Sequence, residues 1–201
     1  MKYLGEKEAE DFLEKEKFDV VDRAFVKNKR ELAKMVSFVG FPLVMKVVSP
    51  LIVHKAKEGG VKRGIKTYTD ALRFLMHFKK MKGFKGVMLQ RQISGKEFLL
   101  GLKNTPEFGH VLVFGAGGSQ VEEKKDVAFR VVPLSREDAR EMMGEVKASR
   151  RIMMKDRLVI EENILRLSKL SEKHEDIEEL DINPLMVEFG KGIVVDARIV
   201  F

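Results

Sequence analysis

Apolar residues recur along this chain at two spacings, and each change of spacing marks an element. Over residues 6–17, Ala9, Phe12 and Leu13 stand among charges at helical intervals, which predicts a short surface helix. Val20–Val26 reads as a short strand. Leu32, Met35, Val36 and Val39 then fall at i, i+3, i+4 and i+7, so a helix is expected over 28–39, with Asn28 as its N-cap and an end near Gly40. Leu43–Val48 is a branched apolar run interrupted only by Lys46, the pattern of a buried strand. Val61–Ile65 continues as strand, and a helix over 71–81 is expected to be capped by Thr69 or Asp70.

Period-two patterning dominates the rest. Strands are predicted at 86–90, 97–104 and 109–114, the last two joined by the turn Asn104-Thr105-Pro106. Gly115–Gly118 closes that hairpin, and Phe129–Val132 is a short strand. Ser135 to Asp138 opens a helix as a capping box, and a second helix is expected over about 159–174. Residues 177–187 and 193–200 read as paired strands joined by Gly190-Lys191-Gly192. No repeat, low-complexity stretch or linker breaks the sequence. The fold class is α+β, in two lobes: residues 1–85, where strand and helix alternate, and residues 86–201, where antiparallel strands carry packing helices. Two lobes leave a cleft.

Composition narrows the chemistry. With 44% hydrophobic and 34% charged residues, 16 Gly and 5 Pro in 201, the chain is globular rather than collagenous or disordered. No run approaches the roughly 18 apolar residues of a membrane span, and the N-terminus has no apolar signal core, so a cytoplasmic, membrane-free protein is expected. The absence of cysteine removes disulfides, thiolate metal sites and thiol catalysis. The net charge of +7 fits a phosphate-bearing partner and equally fits plain solubility. Nucleic acid is not the expected partner, because the charge is spread through the chain and the aromatics lie mostly in apolar strands. Abundant Lys and Glu without Cys suggest a source in a hot environment, although 11 Met run against it.

Three constellations could carry chemistry. Lys46 inside LVMKVV is costly to bury unless it meets an anion or carboxylate; the plainer alternative is a lysine that snorkels from the strand end. The loop from His54 to Lys62 combines an imidazole, three lysines and Gly59-Gly60. Glycine permits close approach to phosphate, lysine neutralises it and histidine can relay a proton or phosphoryl group, yet a solvated turn with an incidental histidine has the same composition. Asp181-Ile182-Asn183-Pro184 and Asp196 offer hard oxygen ligands across a hairpin, with Asp181 and Asn183 on one face by alternation. That set suits Mg²⁺, while a turn residue and a surface ion pair would account for the same acids. Gly115–Gly118 resembles an anion-cradling turn, but neither a P-loop nor a GxGxxG spacing occurs, and no serine nucleophile elbow is present.

Taken in order, GFPLVMKVVSP, HKAKEGGVK, GKEFLLGLKNTPEFGHVLVFGAGG, DVAFRVVPLSREDARE and IEELDINPLMV…VVDARI resemble the ATP-grasp β subunit of ADP-forming acetyl-CoA synthetase, a pattern shared with the wider acyl-CoA and succinyl-CoA synthetases. The resemblance runs from about residue 4 to 200. It implies an ATP-grasp fold with a nucleotide cleft between two α/β lobes, and conversion of acyl-CoA, ADP and phosphate to acid, CoA and ATP through phosphohistidine. It also implies Mg²⁺, ADP or ATP as substrate, and a separate CoA-binding α subunit in an α2β2 assembly. By the same matching, His54 corresponds to the histidine that relays phosphoryl to the nucleotide, and Asp181 to the acid beside the phosphohistidine. Lys46 corresponds to the phosphate-holding lysine, and Gly59, Gly60 and Val61 to the loop over the phosphates. Gln90, Arg91 and Gln92 fall in the base-binding hinge, and Glu97 in the Gly-x-Glu block. Gly117 and Gly118 match the pair that faces the phosphohistidine, and Asn183 and Asp196 the Mg²⁺ ligands.

The chain departs from the family pattern in three places. The hinge, where the family carries an acid that receives the adenine amino group, has Arg91. Lys57 replaces an acid in the loop after His54, and SRRIMMKDRLV over 149–159 stands where the family has a glycine-rich segment. An ATP-grasp paralogue that has lost activity and serves as a regulatory or binding module is the alternative these departures support.

Overall fold

The computed structural model describes residues 2–52, 55–118 and 126–201. It divides into two units, residues 21–93 and residues 1–20 with 94–201.

The smaller unit is a four-stranded antiparallel sheet in the order β2 (Arg23–Val26), β5 (Gly86–Arg91), β3 (Leu43–Val48), β4 (Val61–Ile65). Helices α2 (Lys29–Val39) and α3 (Tyr68–Phe78) cover one face, burying Leu32, Val36, Val39, Leu75 and Phe78 against Met45, Val47, Val87 and Leu89. Helix α2 starts and stops where its sequence dictates. The Asn28 side chain accepts from the Glu31 N–H at 3.0 Å, the Glu31 carboxylate accepts from the Lys27 N–H at 2.7 Å, and Gly40 ends the helix at φ 78°. Helix α3 begins three residues before the expected start, because Thr67 accepts from the Asp70 N–H and so caps an earlier turn than Thr69 or Asp70 would.

The larger unit is a seven-stranded antiparallel sheet. Its main order is β1 (Tyr3–Leu4), β11 (Ala197–Val200), β9 (Glu179–Glu188), β6 (Lys96–Thr105), β7 (Gly109–Ala116), β8 (Val127–Val131), and β10 (Lys191–Val194) pairs with the far end of β9. Its core gathers Phe98, Leu100, Leu102, Leu112 and Phe114 from the sheet with residues of α1 (Glu6–Lys15), α4 (Arg136–Glu145) and α5 (Met154–Lys173). The Ser135–Asp138 capping box forms as expected. Helix α5 begins five residues before the expected 159. Exposed Met154 and Leu158 blur its periodicity, and its first turn is instead tied down by Asp156, whose carboxylate accepts from the Gly190 N–H at 2.5 Å.

The boundary expected at 85/86 moves at both ends. β5 pairs with β2 and β3, so it belongs to the smaller unit, which extends to Ile93. Residues before Val21 belong to the larger one. There β1 pairs with β11, Lys2 and Phe201 exchange two backbone hydrogen bonds at 2.8 Å, and Ala9, Leu13 and Phe18 enter the large core. No helix among the described residues is long and apolar enough to cross a membrane.

Candidate functional site

In the smaller unit, Lys46 sits at the centre of β3, opposite Met88 on β5 and Val61 on β4. By alternation it shares a face with Val44, Met88 and Gln90, away from the helix-packed Met45 and Val47. It is only 6% exposed, so the snorkelling alternative does not describe it. The Val47 N–H donates to the Gly60 carbonyl at 2.8 Å and the Gly60 N–H to the Lys55 carbonyl at 2.6 Å, which sets the turn ending in Gly59-Gly60-Val61 beside Lys46. The two glycines are there for different reasons. A Cβ at Gly60 would meet Val47 Cγ1 at 2.6 Å, whereas Gly59 lies at φ 73° with open space around it. His54 lies outside the described residues.

Gln90, Arg91 and Gln92 close β5. Gln90 is fully buried. Gln92 takes the Gly64 N–H on its side-chain oxygen at 2.6 Å and donates its own N–H to the Pro42 carbonyl at 2.9 Å. Arg91 Nε donates to the Val39 carbonyl at 3.1 Å and stands 3.5 Å from the Asp22 carboxylate, so the guanidinium satisfies a carbonyl at the C-terminus of α2. The arginine that replaces the expected acid thus has a structural occupation of its own.

In the larger unit, β9 makes an irregular step. Phe98 pairs with Leu185 but Leu100 pairs with Ile182, so Asn183 and Pro184 together oppose Leu99, a β-bulge. On the other side they face Val195 and Asp196, the two residues that separate β10 from β11; one continuous strand over 193–200 was expected, and this break interrupts it. Ile182 and Leu185 both reach the core across the step, as do Val194 and Ala197, so the two strands change face at the same level. The Asn183 N–H donates to the Asp196 carbonyl at 3.1 Å.

The hairpin end joins them there. Gly118 N–H donates to Asn183 Oδ1 at 2.8 Å, and Gly117 N–H to the Glu97 carbonyl at 2.8 Å. A Cβ on Gly117 would meet the Phe98 backbone at 2.5 Å, and one on Gly118 the Glu97 carboxylate at 2.1 Å. Glu97, Gly117, Gly118, Asn183 and Asp196 therefore form one cluster. Asp181 lies two residues along the same strand, opposite Gly101 and Arg198. Its carboxyl is pushed above the ordinary range, chiefly by burial and further by Glu179, with Arg198 opposing.

A cavity of about 370 Å³ opens beside the cluster, lined by Lys96, Glu97, Phe98, Ala116, Gly117 and Ala148. Lys96 and Ala148 carried no signal as site residues. Lys96 is one of many lysines, and only the fold sets it near the turn of Ala148, where its Nζ donates to the Arg151 carbonyl at 2.7 Å. Among the described residues no group of three or more His, Cys, Asp or Glu side chains could hold a metal. Asn183 and Asp196, on facing strands, carry the amide oxygen and carboxylate that suit Mg²⁺ beside phosphate, a cation that needs few protein ligands.

A family model described as the ATP-grasp domain matches residues 1–201. The chain is 35% identical over 211 residues to the subunit beta of acetate–CoA ligase (ADP-forming) I from Pyrococcus furiosus, covering 98% of this chain and 91% of that one. It is 36% identical over 195 residues to the Archaeoglobus fulgidus acetate–CoA ligase (ADP-forming) I, covering 90% of this chain but spanning only 28% of that longer protein. Among solved structures it resembles the dinucleotide-forming acetyl-coenzyme A synthetase 1 of Ca. Korarchaeum cryptofilum in complex with coenzyme A, Ca-AMPCP and HgCl+. The TM-score is 0.88 and the identity 34%, covering 100% of this chain and 93% of that chain. A second structure of that enzyme holds Mg-AMPPCP, with its phosphohistidine segment pointing towards the nucleotide-binding site; its TM-score is 0.82 at 33% identity, covering 100% of this chain and 93% of that chain.

Proposed function

The chain belongs to the ATP-grasp family of the ADP-forming acetate–CoA ligase β subunits, and from that premise we propose that it is the nucleotide-binding subunit of a cytoplasmic ADP-forming acyl-CoA ligase. It acts with a separate CoA-binding α subunit, as α2β2, to convert acyl-CoA, ADP and phosphate to acid, CoA and ATP. The observation that supports this most is the cluster in which Asn183 bonds to both Gly118 and Asp196 beside Glu97.

Each residue has a task its chemistry suits. Lys46 places a positive charge on nucleotide phosphate, and a buried lysine gains by meeting an anion. Gly59, Gly60 and Val61 let that phosphate approach the backbone closely. Asn183 and Asp196 would hold Mg²⁺. The chemistry supplied by bound Mg²⁺ is neutralisation of phosphate charge. Gln90, Arg91 and Gln92 line the base site, with the side chains and N–H groups of Arg91 and Gln92 engaged within the unit.

His54 acts as the relay. Its imidazole attacks the phosphorus of the α subunit's phosphohistidine, that P–N bond breaks as the new one forms, and ADP oxygen then takes the phosphoryl from His54. Asp181, its carboxyl raised by burial, hydrogen-bonds and orients the incoming phosphohistidine imidazole. Gly117 and Gly118 leave room for that segment.

The test is ATP formation from acetyl-CoA, ADP and phosphate by the chain reconstituted with its α subunit. Turnover that His54→Ala abolishes supports the reading; turnover unchanged by His54→Ala removes the relay. Absence of turnover with bound α subunit and intact nucleotide binding would instead favour a regulatory paralogue.

A further inference from the structure

Resting on that reading, we infer that the Gly117–Gly118 turn works as an orienting part of the Asn183 metal site rather than as an amide cradle for phosphoryl. Both of its N–H groups are already engaged within the chain. Gly117 donates to the Glu97 carbonyl and Gly118 to Asn183 Oδ1, each at 2.8 Å. An anion cradle needs N–H groups directed outward, and this turn directs them inward.

The Gly118 bond has a specific chemical consequence. An asparagine amide carries an oxygen that accepts and an NH₂ that donates, nearly equal in size, and only the oxygen can ligate a cation. An N–H donor can face only the oxygen. The Gly118 N–H therefore selects the amide orientation in which Oδ1 faces the site, occupies one of its two lone pairs and leaves the other for the cation. The Asn183 N–H, bound to the Asp196 carbonyl, fixes the backbone at the same residue. Glycine at 118 is what allows the arrangement. Its φ of 92° is one that residues with a side chain rarely adopt, and a Cβ there would come within 2.1 Å of the Glu97 carboxylate, which would have to swing away. Gly118 is a positioning residue, and it links cation occupancy at Asn183 to the turn that Glu97 packs against.

Amide exchange and chemical shifts of the ¹⁵N-labelled full chain test this, in buffer alone and with MgCl₂ plus ADP. Three results are expected. The Gly118 amide exchanges about fivefold or more faster in Asn183→Ala, the loss of one hydrogen bond, while Gly117 is unchanged. Asn183→Asp restores protection and Mg²⁺-dependent ADP affinity, because both carboxylate oxygens accept. In the unaltered chain the Gly118 amide shifts with the same midpoint as the Asn183 side-chain amide.

If the Val61 amide and its neighbours respond to Mg²⁺–ADP while Gly118 neither shifts nor loses protection in Asn183→Ala, the orienting role is overturned and the nucleotide reading stands. If no amide responds to Mg²⁺–ADP, both fall.

Discussion

The main-chain N–H of Asn183 bonds to the carbonyl of Asp196 at 3.1 Å, at the level where both strands change face. The bond is made by the main chain and uses neither side chain. Asp196→Asn should therefore leave the strand pairing intact while removing the one negative charge of the pair. ADP affinity in the presence of Mg²⁺ should fall by about tenfold or more, roughly 1.4 kcal/mol, with affinity in EDTA unchanged. Calorimetric titration checks this, and equal loss in both conditions would take Asp196 out of the metal site.

Lys46 separates function from stability. Lys46→Met keeps the apolar stem of this buried residue and removes the charge, so the variant tests the ammonium apart from the packing of the stem. Nucleotide affinity should fall by about tenfold to a hundredfold. A variant that loses stability but binds ADP normally would make Lys46 a structural residue.

The two loop glycines should respond differently. Gly60→Ala forces a methyl to 2.6 Å from Val47 Cγ1 and should destabilise the chain by about 1–3 kcal/mol. Gly59→Ala meets nothing and costs about 1 kcal/mol for its positive φ, so its larger effect should be on ADP binding. Denaturant unfolding and titration of both variants decide.

Glu16 ties α1 to the end of α5, where its carboxylate takes Lys173 Nζ at 2.6 Å and His174 Nε2 at 3.0 Å. Chiefly through the Lys173 hydrogen bond, and further through His174, its pKa lies below the ordinary 4.5. A depressed folded-state value means stability that is fully present above 4.5 and lost as pH falls through the lowered value. Glu16→Gln should lower stability above pH 4.5 and flatten the acid limb below it, where the pH falls through the depressed value. Thermal melts across that range measure it, and parallel curves for both proteins would refute the link.

Local signals sufficed where a residue acts on its own turn. Asn28, Gly40 and the Ser135–Asp138 box place their helix ends by hydrogen bonds within a few residues, and such bonds can be read from sequence. The start of α5 could not be read so, because its partner is Gly190 on a distant hairpin. The unit boundary likewise depends on which strand β5 and the first residues pair with, a choice made by long-range packing. Asn183 and Asp196 were legible as oxygen-bearing residues of a hairpin, but the step in β9 beside them was not, since a bulge appears only against β6. Lys96 and the structural use of Arg91 were hidden because both rest on backbone carbonyls, which a sequence does not display.

The most direct measurement is thermal unfolding of the isolated chain with ADP, in Mg²⁺ and in EDTA. A ligand bound only by the folded state, at a hundred times its Kd, stabilises by about 2.7 kcal/mol, about 5–10 °C for a chain of this size. The account predicts such a rise with Mg²⁺ and a smaller one in EDTA, with the difference lost in Asp196→Asn. Equal melting temperatures with and without nucleotide would contradict it.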